Sequence, residues 1–158
     1  MVSHIVGVPG SGGWRYHTYE DLVLRTGRAL PGHARPDDVE VGPSGECFRN
    51  AGRLALKGYT YMEGYALPEG GIPLLHAWCV DAAGAVVDPT WAAPERAAYF
   101  GVVIPTEVVC TAALLHGSWG LLGNDHRDGF RLLREGLPVE QMSAGPAGRR
   151  RRVGRGLL

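Results

Sequence analysis

Cys47 is the residue in this sequence best suited to act as a nucleophile. Ser44 is a residue type that begins helices, and the apolar side chains of residues 45–56 recur with helical spacing. This pattern predicts that Cys47 lies in the first turn of a helix, where backbone N–H groups and the helix dipole favour a thiolate and can bind an oxyanion. Two observations oppose this reading: Glu46 disfavours a neighbouring thiolate, and free cysteines often only fill cores.

His76 is the candidate base, in the apolar and β-prone segment 72–80. Side chains alternate along a strand, so His76 and Trp78 are predicted on one face and Cys79 on the other. Cys79 is therefore expected in the core and not beside His76. A single histidine on an apolar strand is more often structural than catalytic, so this interpretation requires a partner for His76.

Asp88 is the candidate partner, because a turn at residues 81–84 returns the chain along the strand of His76. Depending on the loop length, Asp88 falls opposite His76 or at a near diagonal. A carboxylate in either place fixes the imidazole tautomer and supports the imidazolium. Taken alone, Asp88 is better explained as the cap of an ordinary turn. The three residues together predict a Cys-His-Asp site.

The elements that must position these residues follow from periodicity and from turn residues. Helices are predicted over residues 18–30, 45–56, 106–115 and 128–136, with the third one buried; strands over 59–67, 72–80 and 85–88; an apolar stretch at 99–104; and a surface loop at 33–43. This order predicts an α+β fold in which the nucleophile helix packs on a small antiparallel sheet with flanking helices. Residues 1–142 are predicted to be a single domain, and residues 143–158 a basic, disordered tail.

Composition limits the partners. The chain has 158 residues, of which 45% are hydrophobic, and its 16 basic and 16 acidic residues balance. A zero net charge provides no overall attraction to nucleic acid or membranes, so nucleic acid is expected at most as a weak contact of the tail. The N-terminus lacks the features of a signal peptide, and three cysteines argue against a disulfide scaffold, so a cytoplasmic location is expected.

Two other kinds of site are disfavoured by the sequence. Residues 7–13 begin like a phosphate-binding loop, but Gly13 and Trp14 stand where that motif needs lysine followed by serine or threonine. The histidines and cysteines lack the spacing of a closed metal site. The expected chemistry therefore uses no metal and no cofactor.

The motifs around the three candidate residues resemble those of the transglutaminase-like and papain-like superfamily. His76-Ala77-Trp78 and Asp88-Pro89-Thr90-Trp91 are similar to its His-Ala-Trp and Asp-Pro-Thr pair, and Cys47-Phe48-Arg49-Asn50-Ala51 falls on the nucleophile helix. With Glu63-Gly64-Tyr65 and Tyr99-Phe100-Gly101-Val102, the pattern looks closest to uncharacterised bacterial and phage proteins of this type. The resemblance covers roughly residues 44–104. Papain-type enzymes also have an oxyanion-binding glutamine upstream of the cysteine, whereas this sequence has only Gln141, far downstream.

The resemblance implies cysteine-dependent acyl transfer or hydrolysis through a thioester on Cys47, as in an amidase, a peptidase or a transglutaminase. The substrate would be a peptide, a protein or a small amide or thioester, and water or an amine would release the acyl group. Substrate-binding roles are predicted for Asn50, Glu63, Trp78 and Trp91. Glu63 would orient Asn50 or a substrate amine. The other hypothesis is a catalytically inactive domain that binds peptides or proteins.

Overall fold

Alternating strand residues and short amphipathic helices build an α+β domain around a curled antiparallel sheet. The computed structural model describes residues 12–138. Gln141, the basic tail and most of the glycine-rich segment 7–13 lie outside the described residues. The helices are α1 (Tyr19–Thr26), α2 (Cys47–Ala55), α3 (Thr106–His116) and α4 (Arg131–Glu135). The strands are β1 (Arg28–Pro31), β2 (Thr60–Pro68), β3 (Leu74–Val80), β4 (Val86–Val87) and β5 (Ala97–Val103). Short 3₁₀ turns cover Pro94–Arg96 and Asp125–Asp128.

The strands form one sheet in the order β1-β5-β2-β3-β4, with every neighbouring pair antiparallel. The two faces of the sheet bury different side chains, as the two-residue period requires. Tyr61, Ala77 and Cys79 belong to the main core, together with residues of α1, α2 and α4. Met62 and Trp78 belong to a second apolar cluster on the other face. The predicted α+β class is therefore confirmed.

The first predicted helix is shorter than the sequence indicated. It ends at Thr26, and residues 28–31 form the edge strand β1, which pairs with β5. Gly27 makes the change possible, because a Cβ there would lie 2.5 Å from the carbonyl oxygen of Val23 and 2.8 Å from that of Gly101. Pairing with a distant strand thus overrides the local helical pattern.

Three further predictions about the helices are corrected. Helix α3 is not buried: Val109 is its buried residue, whereas Leu114 and Leu115 are 87% and 74% exposed. The last helix is limited to Arg131–Glu135 and follows a 3₁₀ turn. Ser44 does not cap α2, because Gly45, with φ at +81°, turns the chain before the helix begins. None of the helices within residues 12–138 is long and apolar enough to cross a membrane.

Candidate active site

Cys47 is the first residue of α2, so the packing of this helix determines where the thiol lies. The thiol of buried Cys79 donates a hydrogen bond to the carbonyl oxygen of Ala51 at 3.2 Å, which joins α2 to β3. On another side of the helix, a Cβ on Gly52 would lie 2.2 Å from the ring of Trp119. These close contacts fix α2 between the sheet and the segment around Trp119. Cys47 itself remains half-buried.

The first turn of α2 also supplies backbone donors. The N–H of Asn50 donates to the carbonyl oxygen of Glu46 at 2.9 Å, which is the first bond of the helical ladder. The N–H groups of residues 47–49 precede this bond, so the helix itself offers them no acceptor. They belong to the same turn as Cys47 and are donors that the helix leaves available for an anion there.

His76 and Asp88 meet across the β3–β4 turn. Cys79 pairs with Val87, so one further step of this register puts Asp88 across from Trp78, and His76 at the diagonal position. The Nε2 atom of His76 and the Oδ2 atom of Asp88 lie 2.8 Å apart, and both side chains are buried. The turn itself is held by Asp81, whose carboxylate accepts hydrogen bonds from the N–H groups of Ala83 and Ala85.

Asp88 accepts three more hydrogen bonds. The hydroxyl of Tyr99 donates to Oδ2 at 2.9 Å, and the backbone N–H groups of Thr90 and Trp91 donate to Oδ1 at 2.8 and 3.2 Å. Burial alone would raise the pKa of Asp88, but the contact with His76 and these donors hold the pKa below its ordinary value. The carboxylate therefore stays ionised although it has no exposed surface.

The imidazole of His76 contacts both other members of the site. Burial alone would lower its pKa, but the hydrogen bond with Asp88, the hydrogen-bonding contact with Cys47 and their charges raise the pKa to about 9. Because an ionised carboxylate only accepts, Nε2 carries a proton and Nδ1 is the ring nitrogen left for Cys47. Thiol, imidazole and carboxylate are thus neighbours, with the imidazole in contact with the other two.

Aromatic rings surround the His76–Asp88 pair. Trp91 stacks on His76 with 4.4 Å between ring centroids, and Trp78 and Tyr99 each lie 6.3 Å from it. The Trp78 ring reaches Gly101 on β5, and it fits there because glycine has no Cβ, which would lie 2.5 Å from the ring. The packing leaves His76 only 3% exposed. A low-polarity enclosure of this kind strengthens the electrostatic coupling between imidazole and carboxylate.

The predicted substrate-binding roles of Glu63 and Trp78 are corrected, because neither side chain has any exposed surface. Glu63 accepts hydrogen bonds from the Tyr61 hydroxyl and from the backbone N–H groups of Leu121 and Leu122, at 2.9, 2.7 and 2.8 Å. These bonds occupy it with the chain's own groups and not with Asn50 or a ligand. Burial raises its pKa despite the three donors.

Asn50 and Trp91, the other two predicted substrate-binding residues, differ in their exposure. Asn50 is buried and hydrogen-bonds to Pro43 and Thr90. Trp91 is half-buried, so its ring can still meet a ligand beside His76. No role was predicted for Tyr99 or Thr90, although both lie within the motifs quoted from the sequence. Thr90 stands two residues after Asp88, at a turn position, and Tyr99 lies on a strand with alternating side chains. These positions were the available signals.

Comparisons of the chain with protein-family models, curated proteins and solved structures found no match. Within residues 12–138, no group of three or more histidine, cysteine, aspartate or glutamate side chains is arranged to hold a metal ion. The functional interpretation therefore rests on the geometry around Cys47, His76 and Asp88.

Proposed function

We propose that this chain is a cysteine-dependent hydrolase or acyltransferase of the transglutaminase-like or papain-like type. The observation that carries the proposal is the line from Cys47 through His76 to the buried carboxylate of Asp88. A histidine needs an orienting acceptor on one ring nitrogen and a nucleophile at the other to act as a general base, and both are present here.

In the proposed reaction, the proton of the Cys47 thiol passes to Nδ1 of His76 before substrate binds, so the site that meets the substrate is a thiolate–imidazolium pair. The thiolate attacks the carbonyl carbon of an amide or thioester, and the oxyanion lies at the backbone N–H groups of the first turn of α2. The imidazolium then protonates the leaving amine or thiol, so that an acyl thioester remains on Cys47. Water or an amine attacks this thioester, gives its proton to His76, and the thiolate leaves.

The raised pKa of His76 supports this cycle. With a pKa of about 9, the imidazole remains protonated at neutral pH when its neighbours are ionised, so it can stabilise the thiolate and protonate the leaving group. The general-acid step requires the imidazolium, so turnover is expected to decline as the pH rises through about 9.

The second candidate is a domain without catalysis that binds a peptide or protein. The observation that favours it is the burial of His76, whose ring is covered by Trp91 at 4.4 Å. Here Trp91 would be an aromatic contact for a ligand, and the Cys47 site would have no turnover.

Acylation by p-nitrophenyl acetate separates the two candidates. In a Cys110→Ala background, the proposal predicts a burst of nitrophenol and an acetyl group on Cys47 in peptide mass spectra. Cys47→Ala should abolish the burst and His76→Ala should slow it. Adding glycinamide then shows whether an amine competes with water for the acyl group. Acetylation of Cys47 that is no faster than that of a free cysteine in an unfolded peptide would leave the binding domain as the better account.

A further inference from the structure

Asn50 connects the nucleophile helix to the loops on both sides of the site. It lies one turn after Cys47 on α2 and is 6% exposed. Its Nδ2 atom donates to the carbonyl oxygen of Pro43 at 2.9 Å and to the Thr90 hydroxyl oxygen at 3.0 Å. Because a proline carbonyl can only accept, the NH₂ group of the amide must face Pro43.

The two loops that Asn50 joins are themselves in contact. The N–H of Gly42 donates to the carbonyl oxygen of Pro89 at 2.7 Å. Gly42 leaves room for the amide, since a Cβ there would lie 2.3 Å from the Asn50 side chain. The loop that leads to α2 and the loop that follows Asp88 therefore come together around one side chain.

Thr90 continues the connection to the carboxylate. Its backbone N–H donates to Oδ1 of Asp88 at 2.8 Å, while its hydroxyl oxygen accepts from Asn50. Asp88 in turn holds His76. A chain of hydrogen bonds thus runs from the helix of Cys47 to the base that Cys47 contacts, and it closes a ring around the site.

We propose that Asn50 and Thr90 are positioning residues, which hold the first turn of α2 against the Asp88 loop and so set the approach of Cys47 to His76. The proposal rests on the function proposed above and gives it a geometric basis. The contacts of Ala51 and Gly52 hold the middle of α2, whereas the hydrogen bonds of Asn50 act on its first turn, and a hydrogen bond fixes both distance and direction. Neither residue is expected to contact substrate.

The test measures the coupling between Thr90 and His76. In a Cys110→Ala background, iodoacetamide alkylation of Cys47 is followed at neutral pH in the parent protein and in Thr90→Val, each with and without His76→Ala. Valine keeps the shape of threonine but removes the acceptor. The proposal predicts that Thr90→Val slows alkylation and that His76→Ala then has a smaller effect, by about three- to tenfold, which is typical of coupled neighbours. Thr90→Ser, which keeps the hydroxyl, should restore the parent behaviour.

The outcomes distinguish this inference from the proposed function. An unchanged effect of His76→Ala in Thr90→Val would overturn the positioning role while leaving the Cys47–His76 pair intact. Absence of any His76 effect in the parent protein would overturn both. If Thr90→Val melts before the assay temperature, Asn50→Leu serves in its place, since it removes the donor and is close to asparagine in shape without adding a charge. A weaker His76 effect in Asn50→Leu supports the proposal, and an unchanged one contradicts it.

Discussion

Replacing Asp88 with asparagine tests the electrostatics of the site through protein stability. The carboxylate has no exposed surface and accepts four hydrogen bonds, one from His76, one from the Tyr99 hydroxyl and two from backbone N–H groups. Asparagine keeps the size and can keep the two backbone bonds through its oxygen. Its NH₂ group then faces Nε2 of His76. That contact requires an unprotonated Nε2, so the imidazolium loses its partner.

The magnitude follows from the pKa of His76, which is about 9 in the fold against an ordinary value of 6.5. At about 1.4 kcal/mol for each pH unit, this difference corresponds to about 3 kcal/mol of folding free energy. Because the pKa is raised, the contribution is fully present below pH 6.5 and is lost as the pH rises through about 9. Cys47 supplies part of the rise and burial opposes it, so about 3 kcal/mol is the net figure for the imidazolium in this site.

Urea unfolding at about pH 6 and about pH 9.5 measures the effect, since these values lie on either side of the window in which the contribution is lost. We expect Asp88→Asn to destabilise the protein more at the lower pH, by about 3 kcal/mol. Tyr99→Phe is the matched control, because it removes one neutral donor to the same carboxylate. Its cost should be about 1 kcal/mol and nearly independent of pH. An equal cost of Asp88→Asn at both pH values would refute the assigned charge of His76.

Two other substitutions test the framework of the site. Gly101→Ala should destabilise the fold by about 1–3 kcal/mol in urea unfolding, because its Cβ would lie 2.5 Å from the Trp78 ring. Gly12→Ala is the control and should be nearly neutral, because no atom lies within 4 Å of its Cβ. Equal effects of the two substitutions would contradict the packing. Glu63→Gln should lower the free energy of unfolding by about 1–3 kcal/mol, since its amide cannot accept from both backbone donors. Tyr61→Phe, which removes only the hydroxyl donor to Glu63, should cost less. A neutral Glu63→Gln would show that the buried hydrogen bonds contribute little.

The positions of the three candidate residues could be predicted because local patterns determine them. Helical spacing placed Cys47 at the start of α2, and strand alternation put His76 and Trp78 on one face, with Cys79 on the other. The turn after β3 then brought Asp88 to the diagonal position, one of the alternatives that the sequence had left open.

The role of Glu63 could not be predicted, because its partners come from far along the chain. The sequence shows a carboxylate on a strand, which is equally compatible with a ligand contact. Its backbone donors, Leu121 and Leu122, are 58 and 59 residues away. Strand β1 could not be predicted for the same reason. Its residues continue a helical pattern, and they form a strand only because they pair with the edge of β5. Such long-range pairings leave no periodic signal in one sequence.

The reactivity of Cys47 tests the central claim most directly. With limiting iodoacetamide at about pH 7, well below the pKa of His76, the imidazolium should stabilise the thiolate, and mass spectrometry reads all three cysteines in one sample. Buried Cys79, whose pKa burial raises to about 12, should stay unmodified and report that the fold is intact. We expect Cys47 to react faster than half-buried Cys110, and His76→Ala to remove that advantage. Equal rates at Cys47 and Cys110, or a Cys47 rate that does not depend on His76, would contradict the account.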